Sequence, residues 1–136
     1  MTVLPILAVK DFDASLKFYT EKLGFLSEFN MEGPDGKNVF GFVAKENVKI
    51  ALSDDKPDYE RGRGVVLMLY PDGLDIDAFY KEVQDKGVTI TEDLKTEYWG
   101  DRVFSIKDPD GYYLTFGVTV EQVPMEQIRD HMKNAG

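Results

Sequence analysis

The chain contains no cysteine and only one histidine. Without cysteine there is no disulfide framework, no thiolate metal ligand and no cysteine nucleophile. The single histidine, His131, lies near the C-terminal end of the chain, and one imidazole does not build a multi-ligand metal site. We therefore interpret His131 as a solvated residue on a surface helix.

Long apolar runs and an excess of positive charge are absent as well. No run approaches the roughly 18 residues that a transmembrane helix needs, and the N-terminus lacks the basic and apolar regions of a secretory signal. We therefore expect no membrane partner and a cytoplasmic location. The net charge of −9 predicts no nucleic-acid partner, because the phosphates of a nucleic acid would be repelled.

Motifs of nucleophilic catalysis and phosphate binding are missing too. Ser27, Ser53 and Ser105 have no histidine near them in sequence, and there is no Gly-x-Ser-x-Gly elbow, Gly-x-Gly-x-x-Gly motif or P-loop. Acid–base chemistry by a carboxylate in an apolar cleft stays open, because burial alone raises a carboxyl pKa. The residues assign no catalytic group and no cofactor.

The pattern of the chain predicts one domain built from two similar modules. A β-rich start is followed by a helix capped by Asp11 and ended by Gly24, and then by three strands. After a polar loop the same order of elements recurs. The predicted fold class is α+β, with two βαβββ modules forming an open, curled mixed sheet plus a short C-terminal helix. The boundaries are module 1 at about 1–53, a linker at 54–63, module 2 at about 64–118 and a tail helix within 119–136.

The two modules also match each other in sequence. The run 39–42 reads Val-Phe-Gly-Phe, and the run 103–106 reads Val-Phe-Ser-Ile. Because residues two apart on a strand share a face, Phe40 and Phe42 point the same way, and the ungapped alignment places Phe104 in the matching row. One strand face must pack on the helices while the other lines a concave cleft. The sequence leaves open which face carries these rings.

Three motifs carry a resemblance to a known family. The run 6–19 reads Ile-Leu-Ala-Val-Lys-Asp-Phe-Asp-Ala-Ser-Leu-Lys-Phe-Tyr, and Leu-Gly-Phe follows at 23–25. Trp99-Gly100 and an Asp-Pro-Asp-Gly turn at 108–111 follow in the second module. In this order the motifs resemble the vicinal oxygen chelate superfamily of glyoxalases, bleomycin-resistance proteins and extradiol dioxygenases, and most of all its bleomycin-resistance branch. The resemblance implies an open barrel and a homodimer whose clefts draw on both chains.

The metal ligands of that family have no obvious counterpart here. The resemblance places the ligand positions near Leu4, at Gly64 or Val65, and at Thr115, with Ala51 as the counterpart of Thr115 in the first module. Four of these side chains have no donor atom, and a neutral threonine hydroxyl is a poor ligand. We therefore expect no metal. A site for Mg²⁺ or Ca²⁺ made of carboxylates alone stays open, although no spacing makes the glutamates converge.

Aromatic side chains are the better candidates for a binding site. The residues that we expect to contact a ligand are Trp99, Phe40, Phe42, Phe104, Tyr59 and Asp101. Trp99 stands before a glycine at a hairpin entrance and is either a packing residue or, as the resemblance implies, a stacking platform for a planar ligand. Tyr59 lies in the polar linker and could form the rim of a cleft. The tail helix, with Met125, Ile128 and Met132 on one side, docks on the body, on a second chain, or over a ligand.

These observations favour a metal-independent binding protein. We expect it to sequester a small aromatic or cationic compound in a cleft at the interface of a homodimer, and thereby to protect against that compound. The alternative is a glyoxalase- or dioxygenase-like enzyme with a divalent metal held by carboxylates. A further alternative is a non-catalytic regulatory or interaction module, because one fold hosts many functions.

Overall fold

A computed structural model of the chain describes residues 3–134. The strands are β1 (Ile6–Ala8), β2 (Leu26–Glu32), β3 (Asn38–Lys45), β4 (Val48–Ser53), β5 (Val66–Leu69), β6 (Thr89–Thr96), β7 (Asp101–Lys107) and β8 (Tyr113–Thr119). The helices are α1 (Phe12–Lys17), which continues as a π-helical turn (Phe18–Lys22), α2 (Ile76–Asp85) and α3 (Met125–Asn134). Residues 1–2 of the predicted module 1 and residues 135–136 of the predicted tail segment lie outside the described residues.

Each module forms its own four-stranded mixed sheet. Sheet I has the strand order β1-β4-β3-β2, and sheet II has the order β5-β8-β7-β6. In both sheets the first and last strands of the module pair in parallel, and the other neighbours pair antiparallel. The predicted α+β class, with two βαβββ modules and a C-terminal helix, is confirmed.

The helix ends follow the signals in the sequence. Asp11 caps α1 with its side chain, which accepts a hydrogen bond from the N–H of Ala14. Gly24 and Gly87 end the two module helices with φ angles of 74° and 75°, in the left-handed region where a Cβ is disfavoured. No helix within the described residues is long and apolar enough to cross a membrane. The cytoplasmic location stays a prediction.

One face of each sheet packs on the helices, and together these faces form one core. On sheet I this face carries Val43 and Leu52, which are fully buried. On sheet II it carries Phe104 and Phe116, whose ring centroids lie 5.7 Å apart. Phe79 of α2 contacts both of these rings, with its centroid 5.7 Å from Phe104 and 5.0 Å from Phe116. At these positions the helix-facing side of sheet II therefore carries aromatic side chains, whereas that of sheet I carries aliphatic ones.

The predicted alignment of Phe104 with Phe40 is wrong by one residue. Gly41 pairs with Leu52 in sheet I, and Phe104 pairs with Phe116 in sheet II. Because Leu52 and Phe116 both face the helices, Phe104 corresponds to Gly41 rather than to Phe40. Phe104 is 0% exposed and points away from any cleft on the other face of its sheet. A one-residue shift reverses the face of a strand side chain, so the matching row that we expected does not exist.

In module 1, the space that corresponds to the Phe104 side chain is filled by a side chain of α1. A Cβ on Gly41 would lie only 2.8 Å from Cζ of Phe12 in α1. The α1 side chain thus reaches the sheet at the point where the β3 strand has no side chain.

A buried polar contact joins the two modules. The Tyr19 hydroxyl, at the end of the first helix, donates a 2.7 Å hydrogen bond to Oδ2 of Asp108 in the β7–β8 turn. Oδ1 of Asp108 accepts from the backbone N–H groups of Asp110 and Tyr112. Burial and then the Asp108 carboxylate raise the pKa of Tyr19 well above its usual value. Tyr19 therefore stays a hydrogen-bond donor at any ordinary pH.

The same turn makes further contacts with the first module. The Tyr112 hydroxyl donates to the carbonyl of Ala8 at 2.8 Å. Asp110 accepts from the backbone N–H of Lys10 at 2.9 Å and from the hydroxyl of Ser15 at 3.1 Å. The β7–β8 turn is thus the part of module 2 that makes hydrogen bonds to the β1–α1 region of module 1.

We expect Tyr19→Phe to lower the free energy of unfolding by about 1–3 kcal/mol, because the ring still packs while Asp108 loses a buried donor. Urea denaturation followed by circular dichroism measures this change. Tyr80→Phe is the matched control, since its hydroxyl donates to Asp93 in an exposed bond, and we expect a much smaller change in the free energy of unfolding. Equal changes in the two variants would mean that the buried contact contributes nothing special.

Candidate functional site

The second face of each sheet turns away from the helices and is open. Apolar side chains are exposed there. Ile6, Phe29 and Met31 on sheet I are 56, 46 and 49% exposed, and Val66 and Met68 on sheet II are 60 and 50% exposed. Exposed apolar groups gathered on one face mark a binding or interaction surface more often than single scattered ones. The two open faces are therefore the candidate site.

The open face of sheet I carries a cluster of phenylalanines. The ladder pairs Phe29 with Phe42 and Phe42 with Ala51, so these side chains share the open face. The ring centroid of Phe42 lies 5.5 Å from that of Phe29 and 5.4 Å from that of Phe40. Phe40 and Phe42 therefore lie on the open face. The sequence had left open whether they pack on the helices or lie on the other face.

The open face of sheet II is polar at the equivalent position. Ser105 pairs with Thr115 in the ladder, and their hydroxyl oxygens lie 2.7 Å apart in a hydrogen bond. Glu92 pairs with Ser105 and therefore shares this face. A hollow of about 420 Å³ opens here. Its lining residues are Val66, Thr91, Glu92, Ser105, Tyr113 and Thr115.

The expected metal-ligand positions do not form a metal site. The Thr115 hydroxyl is hydrogen-bonded to Ser105, and its counterpart Ala51 has no donor atom. Leu4 and Val65 are exposed aliphatic side chains. Within residues 3–134, no three His, Asp or Glu side chains converge as ligands for an ion. The donor set present does not fit a divalent metal, because such an ion needs several convergent oxygen or nitrogen ligands.

Trp99 and Asp101 lie together at the other end of the open face of sheet II. Oδ2 of Asp101 accepts a 3.1 Å hydrogen bond from Nε1 of Trp99 and a 2.7 Å bond from the Tyr70 hydroxyl. Oδ1 accepts from the Thr119 hydroxyl at 2.9 Å. Burial and then the bond to Asp101 raise the pKa of Tyr70 to about 12. Asp101 thus orients the Trp99 ring, and its own oxygens are occupied.

Helix α3 reaches this end of the site through Tyr98. The Tyr98 ring lies edge-on to Trp99 with centroids 5.0 Å apart, and it stacks on His131 with centroids 4.0 Å apart. No residue of α3 is buried. His131 is thus a surface residue that contacts an aromatic ring.

The structure does not bring Tyr59 to the other candidates. Tyr59 lies in the loop between β4 and β5 and is 63% exposed. Its backbone N–H bonds to the carbonyl of Lys56, which closes a local turn. The role of Tyr59 at the rim of a cleft stays a prediction.

Several open-face residues were missed by the sequence reasoning. Phe29 and Met31 belong to β2, where every residue is exposed and a register shift follows Ser27. Tyr70 and Glu92 were missed because β5 and β6 show no clear alternation of apolar and polar residues. The available signal was an aromatic residue at the end of a strand, such as Tyr70 directly after β5.

Comparison with known proteins agrees with this architecture. A protein of Mycobacterium bovis without an assigned function is 26% identical over 97% of this chain and 92% of its own length. A glyoxalase/bleomycin resistance protein from Streptomyces sp. CB03234 is 27% identical, with a TM-score of 0.71 over 87% of this chain and 100% of its own. TnmS3, an antibiotic binding protein from the same organism, is 28% identical, with a TM-score of 0.68 over 85% of this chain and 96% of its own.

The family model for the Glyoxalase/Bleomycin resistance protein/Dioxygenase superfamily matches residues 2–116. This range includes both modules and ends within β8. With the two βαβββ sheets described above, it shows that the chain belongs to the glyoxalase/bleomycin resistance protein/dioxygenase superfamily.

Proposed function

We propose that this protein binds a planar aromatic or cationic small molecule without the help of a metal and sequesters it in a cleft between two copies of the chain. The observation that carries the proposal is the phenylalanine cluster of Phe29, Phe40 and Phe42 on an open sheet face. These rings offer π faces and edges to a planar ligand. TnmS3, a structural neighbour, is an antibiotic binding protein, and this supports the binding of a small molecule.

The absence of a suitable ligand set supports a binder over a metal enzyme. Thr115 and Ala51 stand where the family's metal-dependent members carry ligands, and neither supplies a charged donor. The hydroxyl of Thr115 is already bonded to Ser105. A lyase or dioxygenase of this family would need its metal to polarise the substrate. These side chains support binding without turnover.

The exposure of both open faces supports a dimeric cleft. The hollow on sheet II is lined by sheet II alone, and the phenylalanine cluster belongs to sheet I alone. Covering the exposed Ile6, Phe29 and Met68 with a second copy would remove apolar surface from water, which stabilises association. A sheet I of one copy facing a sheet II of the other would enclose a ligand between an aromatic wall and a polar wall.

Trp99 is proposed to stack on the ligand at the end of this cleft. Its ring is half-buried and is held in place by the bond from Nε1 to Asp101. A ring that is already oriented loses little conformational freedom on binding, and this favours affinity. Asp101 acts as a positioning residue.

We expect metal-free bleomycin to bind and to quench the fluorescence of Trp99, the single tryptophan. Phe42→Leu keeps an apolar side chain but removes the π face, so we expect the Kd from titration calorimetry to rise by about tenfold. Phe18→Leu is the control, because Phe18 packs on Tyr19 away from the open faces. The absence of both heat and quenching in the wild type would refute binding of this ligand class.

We expect sedimentation equilibrium to give twice the 15.4 kDa mass of one chain. Met68→Lys places a charge in the proposed contact and should shift the protein toward the monomer, because an unpaired charge is costly to bury. Val120→Lys, at an exposed position beyond β8, is the control and should stay dimeric. A wild-type monomer at tens of micromolar would contradict the dimeric cleft.

The Tyr70–Asp101 bond predicts a pH dependence. The folded protein holds the pKa of Tyr70 at about 12, above its usual 10.0. The stabilisation from this neutral tyrosine is therefore complete below pH 10.0 and is lost as the pH rises toward 12. In NMR spectra of ¹³C-labelled tyrosine, Asp101→Asn should lower the Tyr70 pKa. An unchanged titration would show that burial alone sets this value.

A further inference from the structure

The two open faces carry equivalent rows of residues with opposite chemistry. One row crosses sheet I through Phe29, Phe42, Ala51 and Ile6. The other crosses sheet II through Glu92, Ser105, Thr115 and Met68. The rows are equivalent because each lies one step from the helix-facing pairs Gly41–Leu52 and Phe104–Phe116. The row of sheet I is wholly apolar, whereas sheet II presents a carboxylate and two hydroxyls.

Hydrogen-bond accounting shows what the hydroxyl pair offers to a ligand. Ser105 and Thr115 have two O–H groups between them, and one O–H makes the 2.7 Å bond between the two oxygens. Each hydroxyl oxygen has two lone pairs, so acceptor capacity remains on both oxygens. Thr115 is half-buried, and both hydroxyl residues line the hollow.

Glu92 adds a negative charge to the same hollow. None of the ion pairs or side-chain hydrogen bonds within residues 3–134 involves its carboxylate. By contrast, Glu28 in sheet I and Glu97 just after β6 are paired with lysines at 3.0 and 3.2 Å. Glu92 is therefore a carboxylate on the open face whose charge is still available to a ligand.

Tyr113 also lines the hollow, and its ring already faces the ammonium of Lys107. The ammonium of Lys107 lies 5.4 Å from the centroid of the Tyr113 ring. A cation within about 6 Å of an aromatic face is attracted by the ring. The Tyr113 ring can therefore contact a positively charged group. A cationic ligand at this ring would compete with the ammonium of Lys107.

We propose that this hollow binds the protonated amine of the ligand, with Glu92 as its counter-ion, the hydroxyl oxygens of Ser105 and Thr115 as hydrogen-bond acceptors, and Tyr113 as its aromatic wall. The inference rests on the proposed function and narrows its ligand class. The ligand is a planar aromatic compound that carries an aliphatic ammonium group. Its ring lies on the phenylalanines of sheet I, and its ammonium group enters the hollow of sheet II.

The test compares two probes of one shape. Naphthalen-1-ylmethylammonium carries the amine, and naphthalen-1-ylmethanol replaces it with a neutral hydroxyl. We expect calorimetry on the wild-type dimer to show about fivefold tighter binding of the ammonium probe, as for a partly exposed charge pair. The preference should fall at about 0.5 M salt, because salt screens exposed charges.

Glu92→Gln should abolish the preference and leave binding of the neutral probe unchanged. Lys107→Met should increase the preference, because it removes the competing cation. Glu21→Gln, which makes the same charge change on the first helix, should behave as the wild type. A preference that survives in Glu92→Gln, or equal binding of both probes by the wild type, overturns the amine site but leaves the aromatic binder intact. Failure of both probes to bind at millimolar concentration overturns the proposed function together with the amine site.

Discussion

The alternation of side chains along each strand is the constraint on which the rest of this structure depends. Every strand must give one set of side chains to the helix-packed core and the other to the open face. Phe104 and Phe116 are thereby committed to the core with Phe79, and Phe42 is committed to the open face. The chain has one core but two open faces, so the surface left for binding is fixed by the same pairing that stabilises the fold.

The coupling between modules keeps these faces in place. The β7–β8 turn, with Tyr112 that follows it, contacts the first module at Tyr19, at the Ala8 carbonyl and at Ser15 of α1. These contacts lie on the helix side, where buried hydrogen bonds stabilise only if every partner is satisfied. No buried side-chain nitrogen or oxygen among the described residues lacks a partner. Glu92 is by contrast an exposed carboxylate on the open face of sheet II.

The site differs from a metal centre of its family in the chemistry of single positions. Thr115 and Ser105 make a hydrogen bond to each other at the position where the resemblance places a metal ligand. The equivalent row on sheet I is apolar and ends in the phenylalanine cluster. Two pseudo-equivalent sheets have therefore acquired one aromatic and one polar wall. The proposed cleft between such walls would suit a molecule with a flat apolar part and a charged part. Trp99, whose Nε1 donates a hydrogen bond to Asp101, would lie at its end.

The sequence by itself determined the fold class and the element order, because caps such as Asp11, stops such as Gly24 and the turn at 108–111 are local signals. Residue types alone also place no strong donor at the positions where the resemblance expects metal ligands, such as Thr115 and Ala51. The sequence did not determine the face of Phe104. That face depends on a ladder register between strands distant in sequence and on Phe12 of a helix filling the space beside Gly41. Only the tertiary structure joined Glu92, Ser105 and Thr115 into one row, because they come from three strands whose pairing no local pattern encodes.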